Sequence, residues 1–318
     1  MKALCYERYG DIGRLQFTKR PRLDPKAGDV VVRVAAVALN PIDWKLREGQ
    51  MRWIHPLRFP VVPCFDFYGT VSRCGGDVED FAPGERVCGM SDKRAGGALA
   101  TKCVCSADAL AKVPDALSHE EAAGLPLAGL TALQGLRDHG RMAPGARVLV
   151  VGASGGVGHL ATQIAAQDGA AVTAVCGPDN VEWVGGLGAE TVLNYRESGW
   201  LSKAGRFDLI FDAVGSLGFS RCRRHLERGG TYVTTLPGPR VLFDSLLRAP
   251  LSGRRAKTFL VKPSNTDLRK LLAMQSAGKL RLRIDSVFDW KNYAEAFARS
   301  ESGRAKGKIV LRIARDDG

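Results

Sequence analysis

The order of apolar and polar positions divides the chain into two parts. In the N-terminal third, short β-prone runs are interrupted by Gly, Pro and Asp, which is typical of a small all-β barrel or sandwich. From Ala146 onward, apolar runs alternate with helical stretches, as expected for a parallel sheet that is covered by helices. The predicted strands are Lys2–Tyr6, Asp29–Leu39, Asp66–Cys74 and Glu85–Met90 in the first part, then Arg147–Val151, Ala171–Cys176, Thr191–Asn194, Phe207–Asp212 and Thr231–Thr235.

A helix start marks the boundary between the two parts. Ser118 and Glu121 form a capping-box pattern in front of an Ala/Leu-rich stretch, which predicts a helix over Ala122–Leu136. Near the end of the chain, the pattern predicts a last helix at Tyr293–Ser302 and a strand at Lys308–Ile313 that returns to the first part. We therefore expect two domains, one built from residues 1–120 and 284–318 and the other from residues 121–283.

Composition narrows the class of protein. With 318 residues, 45% of them apolar and 25% charged, the chain has the composition of a globular protein, which excludes disorder and collagen-like fibre. The eight cysteines are too few for a disulfide scaffold and include no Cys-x-x-Cys pair. The sequence shows neither a signal peptide nor a run of about 18 apolar residues. We expect a cytoplasmic protein with reduced thiols that does not enter a membrane.

The excess of positive over negative residues lies in one region of the chain. The net charge is +13, but residues 1–218 hold 24 Lys and Arg against 24 Asp and Glu, whereas residues 219–318 hold 22 against 9. The chain lacks the known nucleic-acid motifs, so nucleic acid is not a predicted partner. The segment 238–257 instead predicts attraction of an anionic substrate, an acidic carrier protein or cofactor phosphate. Its arginines are Arg240, Arg248, Arg254 and Arg255.

The most informative segment is a glycine-rich turn between a strand and a helix. Arg147–Val151 runs directly into GASGGVG, and an Ala-rich helix follows at Leu160–Gln167. A strand, a glycine-rich turn and a helix in this order form a dinucleotide-binding site. The free N–H groups at the start of the helix bind a diphosphate. In this interpretation Gly155 allows the tight turn, Gly156 lets the backbone approach the diphosphate, and Gly158 lets the helix pack on the strand.

The same letters also match the nucleophile elbow of an α/β-hydrolase. Gly152-Ala-Ser154-Gly-Gly156 fits G-x-S-x-G, and Asp212 followed by His225 gives the chain order of such a triad. However, no upstream oxyanion loop of the HGGG kind is present, and an elbow does not explain Gly158. The dinucleotide interpretation, with Ser154 binding phosphate, is favoured.

Several recognisable blocks follow one another along the chain: ALNPIDWKLREG from Ala38, FPVVPCFDFYGTV from Phe59, FAPGERVCGM from Phe81, LPLAGLTAL from Leu125, the GASGGVG turn, LGAETVLNY from Leu187, FDAVG from Phe211 and GKIVL from Gly307. Together these blocks resemble the medium-chain dehydrogenase/reductase superfamily, in its zinc-independent, quinone oxidoreductase-like branch. The resemblance covers nearly the whole chain and implies an α/β protein with a GroES-like β domain, a Rossmann domain with a doubly wound parallel sheet, and a homodimer.

The resemblance also bears on metal and cofactor. Zinc-dependent relatives place ligands at the positions of Asn40 and Phe65, and neither side chain is one that zinc prefers, so no metal is expected. The second Rossmann strand ends without an acid for the ribose, and Tyr195 matches the family tyrosine at the 2′-phosphate, which favours NADPH and leaves NADH open. The expected cofactor-binding residues are Ser154, Gly155, Gly156, Val157, Gly158, Cys176, Gly177, Tyr195, Arg196, Val214 and Gly215.

The function that the resemblance implies is reduction of a quinone or of an activated C=C bond in an enone or enoyl thioester, including the reaction of a tailoring enoyl reductase of secondary metabolism. A cofactor-binding protein without turnover is the alternative. Asn40 is a candidate donor to the substrate carbonyl, and Tyr68 is a second candidate acid. Asp43 and Lys45 would share a strand face if their segment is extended, and could then form a proton relay or only an ion pair. Four aromatic residues either line an apolar pocket or pack in the core, namely Trp44, Trp53, Phe65 and Phe67.

Overall fold

A computed structural model describes residues 1–314, without the side chains of Pro239 and Arg240. The prediction made for Arg240 therefore lies outside the described side chains. The strands are β1 (Lys2–Cys5), β2 (Gln16–Lys19), β3 (Asp29–Leu39), β4 (Asp66–Cys74), β5 (Arg86–Met90), β6 (Lys102–Ser106), β7 (Leu110–Lys112), β8 (Arg147–Val151), β9 (Ala171–Cys176), β10 (Thr191–Asn194), β11 (Phe207–Asp212), β12 (Leu226–Thr234), β13 (Arg255–Thr258), β14 (Ile284–Asp289) and β15 (Lys308–Arg312).

Most helices are short. The α-helices are α1 (Pro41–Arg47), α2 (His119–Gly124), α3 (Pro126–Gln134), α4 (Gly158–Gln167), α5 (Val181–Gly185), α6 (Trp200–Lys203), α7 (Phe219–Cys222), α8 (Pro239–Phe243), α9 (Ala249–Leu251), α10 (Asn265–Ser276) and α11 (Tyr293–Glu301). Within residues 1–314, no helix is both long enough and apolar enough to cross a membrane.

The chain forms two compact units. The first contains residues 1–128, 262–278 and the described residues from 282 onward, and the second contains residues 129–261 and 279–281. These units differ from the expected domains at residues 121–128, 262–278 and 282–283, which group with the first unit. Residues 121–128 belong to the first unit because α2 packs on β3 and β4, and α10 belongs there because it packs on β7.

The first unit is built on an antiparallel sheet with one parallel strand at its edge. Its order is β14-β15-β3-β4-β5-β7, with β6 also pairing with β3. Strand β15 pairs antiparallel with β3, so the end of the chain returns to the N-terminal strands, as the sequence predicted. The alternating side chains of β3 and β4 contribute Val30, Val32 and Phe67 to a buried apolar core.

The second unit is a parallel sheet of six strands in the order β10-β9-β8-β11-β12-β13. The chain starts at β8, proceeds outward to β10, and then returns to the other side of β8 with β11. This reversal is the topological switch point at which doubly wound sheets bind their ligands. The predicted strands Arg147–Val151, Ala171–Cys176, Thr191–Asn194 and Phe207–Asp212 are all confirmed with the bounds expected from the sequence.

Candidate functional site

The glycine-rich turn connects β8 to α4 at the carboxyl edge of the parallel sheet. Gly152 has a φ of 81° and makes the turn, so assigning the tight turn to Gly155 was wrong. At Gly158, an added Cβ would lie 2.1 Å from the carbonyl oxygen of Gly152, so only glycine lets α4 pack this closely on the strand end. The turn residues 154–157 remain partly accessible, as a phosphate-binding surface requires.

The other predicted cofactor residues follow the carboxyl ends of neighbouring strands. Cys176 and Gly177 end β9, and Tyr195 and Arg196 follow β10. The hydroxyl of Tyr195 lies 3.2 Å from where a Cβ of Gly177 would be. The structure therefore brings these two positions together, with Tyr195 and Arg196 exposed beside them. Burial raises the pKa of the Cys176 thiol to about 11, which keeps it neutral at physiological pH.

A buried carboxylate shapes the segment that contains Val214 and Gly215. Asp212, at the end of β11, accepts hydrogen bonds from the backbone N–H groups of Val214 (3.2 Å) and Gly215 (2.7 Å). It also accepts from the N–H of Leu217 and from the hydroxyl of Tyr232, both at 3.0 Å. Sequence reasoning missed this role of Asp212, although its place at a strand end before a glycine was a usable signal.

The same contacts exclude the hydrolase alternative. Asp212 is fully used in shaping its own loop, so it cannot orient a catalytic histidine. His225 lies directly before β12, at the amino edge of the parallel sheet, and its Nδ1 is 3.0 Å from the carbonyl oxygen of Gly205. Ser154 lies after β8, at the opposite edge. A triad of these residues is therefore impossible in this fold, because strands of about 5–6 residues separate the two edges.

Two arginines of the basic segment also lie at the amino edge. Arg254 donates to the carbonyl oxygens of Leu226 and Ser252, both at 2.9 Å. Arg255 begins β13 and donates to the hydroxyl of Thr231 at 3.0 Å. The prediction that they attract cofactor phosphate was wrong, because they face the edge opposite the glycine-rich turn and stabilise their own unit. Arg248 donates to Ser220 and Asp244 at 3.0 and 3.2 Å.

In the first unit, a buried polar cluster surrounds Asn40. The Lys308 ammonium lies 2.5 Å from Asn40 Oδ1 and 3.0 Å from Asp66 Oδ2. Asn40 Nδ2 donates to Asp66 at 2.9 Å and to the carbonyl oxygen of Ala38 at 3.4 Å. Asp66 Oδ1 accepts from the N–H of Leu127 at 2.7 Å. Both amide hydrogens of Asn40 are thus used internally in this structure, which lends no support to the prediction that Asn40 donates to a substrate carbonyl.

Asp43 and Lys45 do not share a strand face, which was the condition for pairing them. Their segment is helix α1 rather than a strand, so residues two apart point in different directions. Asp43 is buried and accepts from the backbone N–H of Asn40 at 2.7 Å. Burial, with a further contribution from Asp66, raises the pKa of Asp43 to about 7. Lys45 is partly exposed, its ammonium lies 5.4 Å from the Trp44 ring, and burial lowers its pKa.

The remaining candidates of this unit separate into core and surface. Tyr68 is buried, accepts from Arg86 Nε at 2.8 Å and stacks on His119, so it packs in the core and is not placed as an acid. Phe67 is 0% exposed and also belongs to the core, whereas Trp53 is 86% exposed. Trp44 and Phe65 are half-buried.

The role of Lys308 in the polar cluster around Asn40 was not predicted from the sequence, although a lysine at the start of an apolar strand was a usable signal.

Together, a nucleotide-binding doubly wound sheet and a GroES-like β unit define a dehydrogenase or reductase. Residues 26–115 match the family model described as alcohol dehydrogenase GroES-like domain, and residues 187–311 match the one described as zinc-binding dehydrogenase. The chain belongs to the medium-chain dehydrogenase/reductase superfamily, in its quinone oxidoreductase-like branch.

Similar proteins cover almost the whole chain. The chloroplastic quinone-oxidoreductase QR1 of Triphysaria versicolor is 35% identical over 98% of both chains. The human mitochondrial NAD(P)H oxidoreductase RTN4IP1 is 32% identical over 98% of this chain and 89% of its own. Among solved structures, the quinone oxidoreductase of Coxiella burnetii has a TM-score of 0.88 and 29% identity over 99% of both chains.

The donor set does not fit the zinc that the second family description implies. Asn40 and Phe65 stand where zinc relatives carry ligands, and Asp66 is bonded to an ammonium instead. Within residues 1–314, no group of three or more His, Cys, Asp or Glu is placed to hold a metal.

Proposed function

We propose that the protein is an NADPH-dependent reductase of quinones or of activated C=C bonds in enones and enoyl thioesters. The observation that carries the proposal is the turn from β8 into α4, with Gly152 in the left-handed region and Gly158 against the Gly152 carbonyl. Such a turn presents backbone N–H groups to a diphosphate. When bound, a reduced nicotinamide supplies a hydride for an electron-poor carbon.

The residues of this chain would bind and orient the coenzyme at the carboxyl edge. Residues 154–158 hold the diphosphate, while Val214 and Gly215 are held in place by Asp212. The exposed side chains of Tyr195 and Arg196 are available for a 2′-phosphate, which supports NADPH. NADH is the competing coenzyme, and a solved NAD-dependent alcohol dehydrogenase is 28% identical, with a TM-score of 0.85.

Lys45 is the candidate proton donor that this structure leaves accessible. Asn40, Asp43 and Tyr68 are each no more than 3% exposed, whereas Lys45 is partly exposed and its pKa is lowered by burial. A lowered pKa brings an ammonium closer to the range in which general acids work at neutral pH. We expect Lys45→Met to reduce kcat with little change in the Kd of the coenzyme, and Lys45→Arg to serve as the matched charged control.

Fluorescence titration with NADPH and NADH tests the coenzyme assignment. Tighter binding of NADPH, lost selectively in Tyr195→Phe and Arg196→Ala, would support the 2′-phosphate site. Oxidation of bound NADPH by members of a panel of quinones and enones would then identify the substrate class. Binding without oxidation by any of them would favour the non-catalytic alternative, and no binding of either coenzyme would overturn the proposal.

The homodimer remains a prediction. Five large apolar side chains of the segment 239–251 are exposed, with fractions between 46% and 88%, which is more than an isolated surface usually carries. They are Leu242, Phe243, Leu246, Leu247 and Leu251. Light scattering on the purified protein decides between one copy and two. The cytoplasmic location also stays a prediction, since relatives are named as chloroplastic and mitochondrial.

A further inference from the structure

A buried histidine contacts the glycine-rich turn from inside the second unit. His159 is the second residue of α4 and its side chain is 0% exposed. Its Nδ1 lies 2.8 Å from the carbonyl oxygen of Gly155, and its backbone N–H donates to the same oxygen at 3.1 Å. A carbonyl oxygen only accepts, so Nδ1 carries the hydrogen. One residue thus supplies two donors to one carbonyl of the turn.

This contact fixes the direction of the next N–H group. The peptide unit between Gly155 and Gly156 is planar, and the C=O and N–H of a trans peptide point in opposite directions. With the Gly155 carbonyl directed at His159, the Gly156 N–H is directed away from the helix, on the partly accessible side of the turn. Gly155 and Gly156 have no Cβ to oppose rotation of this peptide, so its orientation depends on the two hydrogen bonds from His159.

The imidazole is itself held by a second element of the site. Its ring centroid lies 6.1 Å from that of Trp183, with an interplanar angle of 39°. Trp183 belongs to α5, which begins directly after the 178–180 turn that follows Gly177. The His159 ring is therefore packed between the diphosphate turn and the element that follows the ribose end of the site. Movement of the ring is limited from both sides.

We propose that His159 is a positioning residue for the diphosphate of the coenzyme. It acts through the Gly155 carbonyl and keeps the Gly156 N–H turned toward the bound anion. In a rotated peptide, the carbonyl oxygen would face the phosphate instead and repel it. This inference rests on the function proposed above and adds a residue to its binding site that touches neither phosphate nor substrate.

The test compares two substitutions of similar size. His159→Asn keeps an N–H donor close to the position of Nδ1, whereas His159→Leu has none. NADPH and adenosine 2′-monophosphate, which lacks the diphosphate, are titrated into the wild type and both variants. We expect His159→Leu to weaken NADPH about three- to tenfold, as loss of one hydrogen bond does, and His159→Asn to restore most of the affinity. The affinity for adenosine 2′-monophosphate should not change.

The outcomes separate this inference from the proposed function. A wild type that binds neither NADPH nor NADH overturns the function. A wild type that binds NADPH while His159→Leu binds equally well overturns the role of His159 alone. Equal losses for both ligands in both variants would show general disruption and would also overturn that role. If His159→Leu does not fold, His159→Gln replaces it, because its amide nitrogen corresponds to Nε2 and not to Nδ1.

Discussion

The ammonium of Lys308 lies 3.0 Å from a carboxylate oxygen of Asp66, although the two residues are 242 positions apart in the chain. Both side chains are almost completely buried, at 3% and 0% exposure. The pair joins the start of β15 to the start of β4, and through Asp66 to the N–H of Leu127 in α3. The C-terminal strand thus supplies the cation for a carboxylate of the N-terminal domain.

Removal of the Lys308 ammonium should destabilise the folded protein. Lys308→Met leaves the Asp66 carboxylate buried without its partner, and we expect the free energy of unfolding to fall by about 3–5 kcal/mol. Lys112→Met is the matched control, because it breaks an exposed pair with Glu85 at 2.6 Å, which contributes about 1 kcal/mol or less. Urea unfolding of the wild type and the two variants measures both losses in unfolding free energy. Equal costs for the two variants would contradict a stabilising role of the buried pair.

Stability should depend on pH through Asp43. In the folded chain this carboxyl keeps its proton up to about pH 7, whereas its ordinary pKa is 3.8. Between these values the folded state binds more protons than the unfolded state, so its stability falls as pH rises, by at most about 1.4 kcal/mol per pH unit. Above pH 7 the loss is complete.

The difference in unfolding free energy between the wild type and Asp43→Asn reports this contribution, because titrating groups that do not interact with Asp43 cancel. Measured by urea unfolding between pH 5 and pH 8, the wild type should lose stability relative to the variant until about pH 7 and then run parallel to it. A difference that stays constant over this range, or one that increasingly favours the wild type at higher pH, would contradict a raised pKa of Asp43.

A methyl group at Gly158 should disrupt the coenzyme site. The new Cβ would lie 2.1 Å from the Gly152 carbonyl oxygen, which forces α4 away from the strand end. We expect Gly158→Ala to abolish measurable NADPH binding and to lower Tm. Gly185→Ala is the control in the same unit, since its Cβ would meet only a Val192 methyl at 3.9 Å. Calorimetric titration that finds NADPH bound equally by both variants would refute this packing argument.

Charge reversal at the two edges of the parallel sheet should have different effects. Arg254→Glu loses two backbone hydrogen bonds at the amino edge, so we expect a lower Tm with an unchanged salt dependence of NADPH binding. Arg196→Glu, at the carboxyl edge, should weaken NADPH in a manner that depends on ionic strength. Titrations at low and high salt compare the two. A salt-dependent loss in Arg254→Glu would restore the predicted attraction of phosphate by that segment.

The sequence by itself determined the elements of the second unit and the residues that meet at its carboxyl edge. Buried parallel strands require apolar runs, and the turn at Gly152–Gly158 requires glycine, so both leave a local pattern. The edge that each residue occupies also follows from chain order, because the carboxyl ends of parallel strands lie together. For this reason Gly177 and Tyr195 could be grouped before the structure showed them side by side.

Only the tertiary structure decided what each polar side chain does. Asn40 faces Asp66 and Lys308, which no local pattern could show, since their contacts span 26 and 268 positions. Whether Asp43 and Lys45 share a face depended on whether their segment is extended, and a seven-residue helix leaves too little periodicity to decide this from the sequence. The burial of a polar side chain and its hydrogen-bond partners depend on residues that are distant in the chain. The tertiary structure therefore determines which polar groups stabilise the fold and which stay available for chemistry.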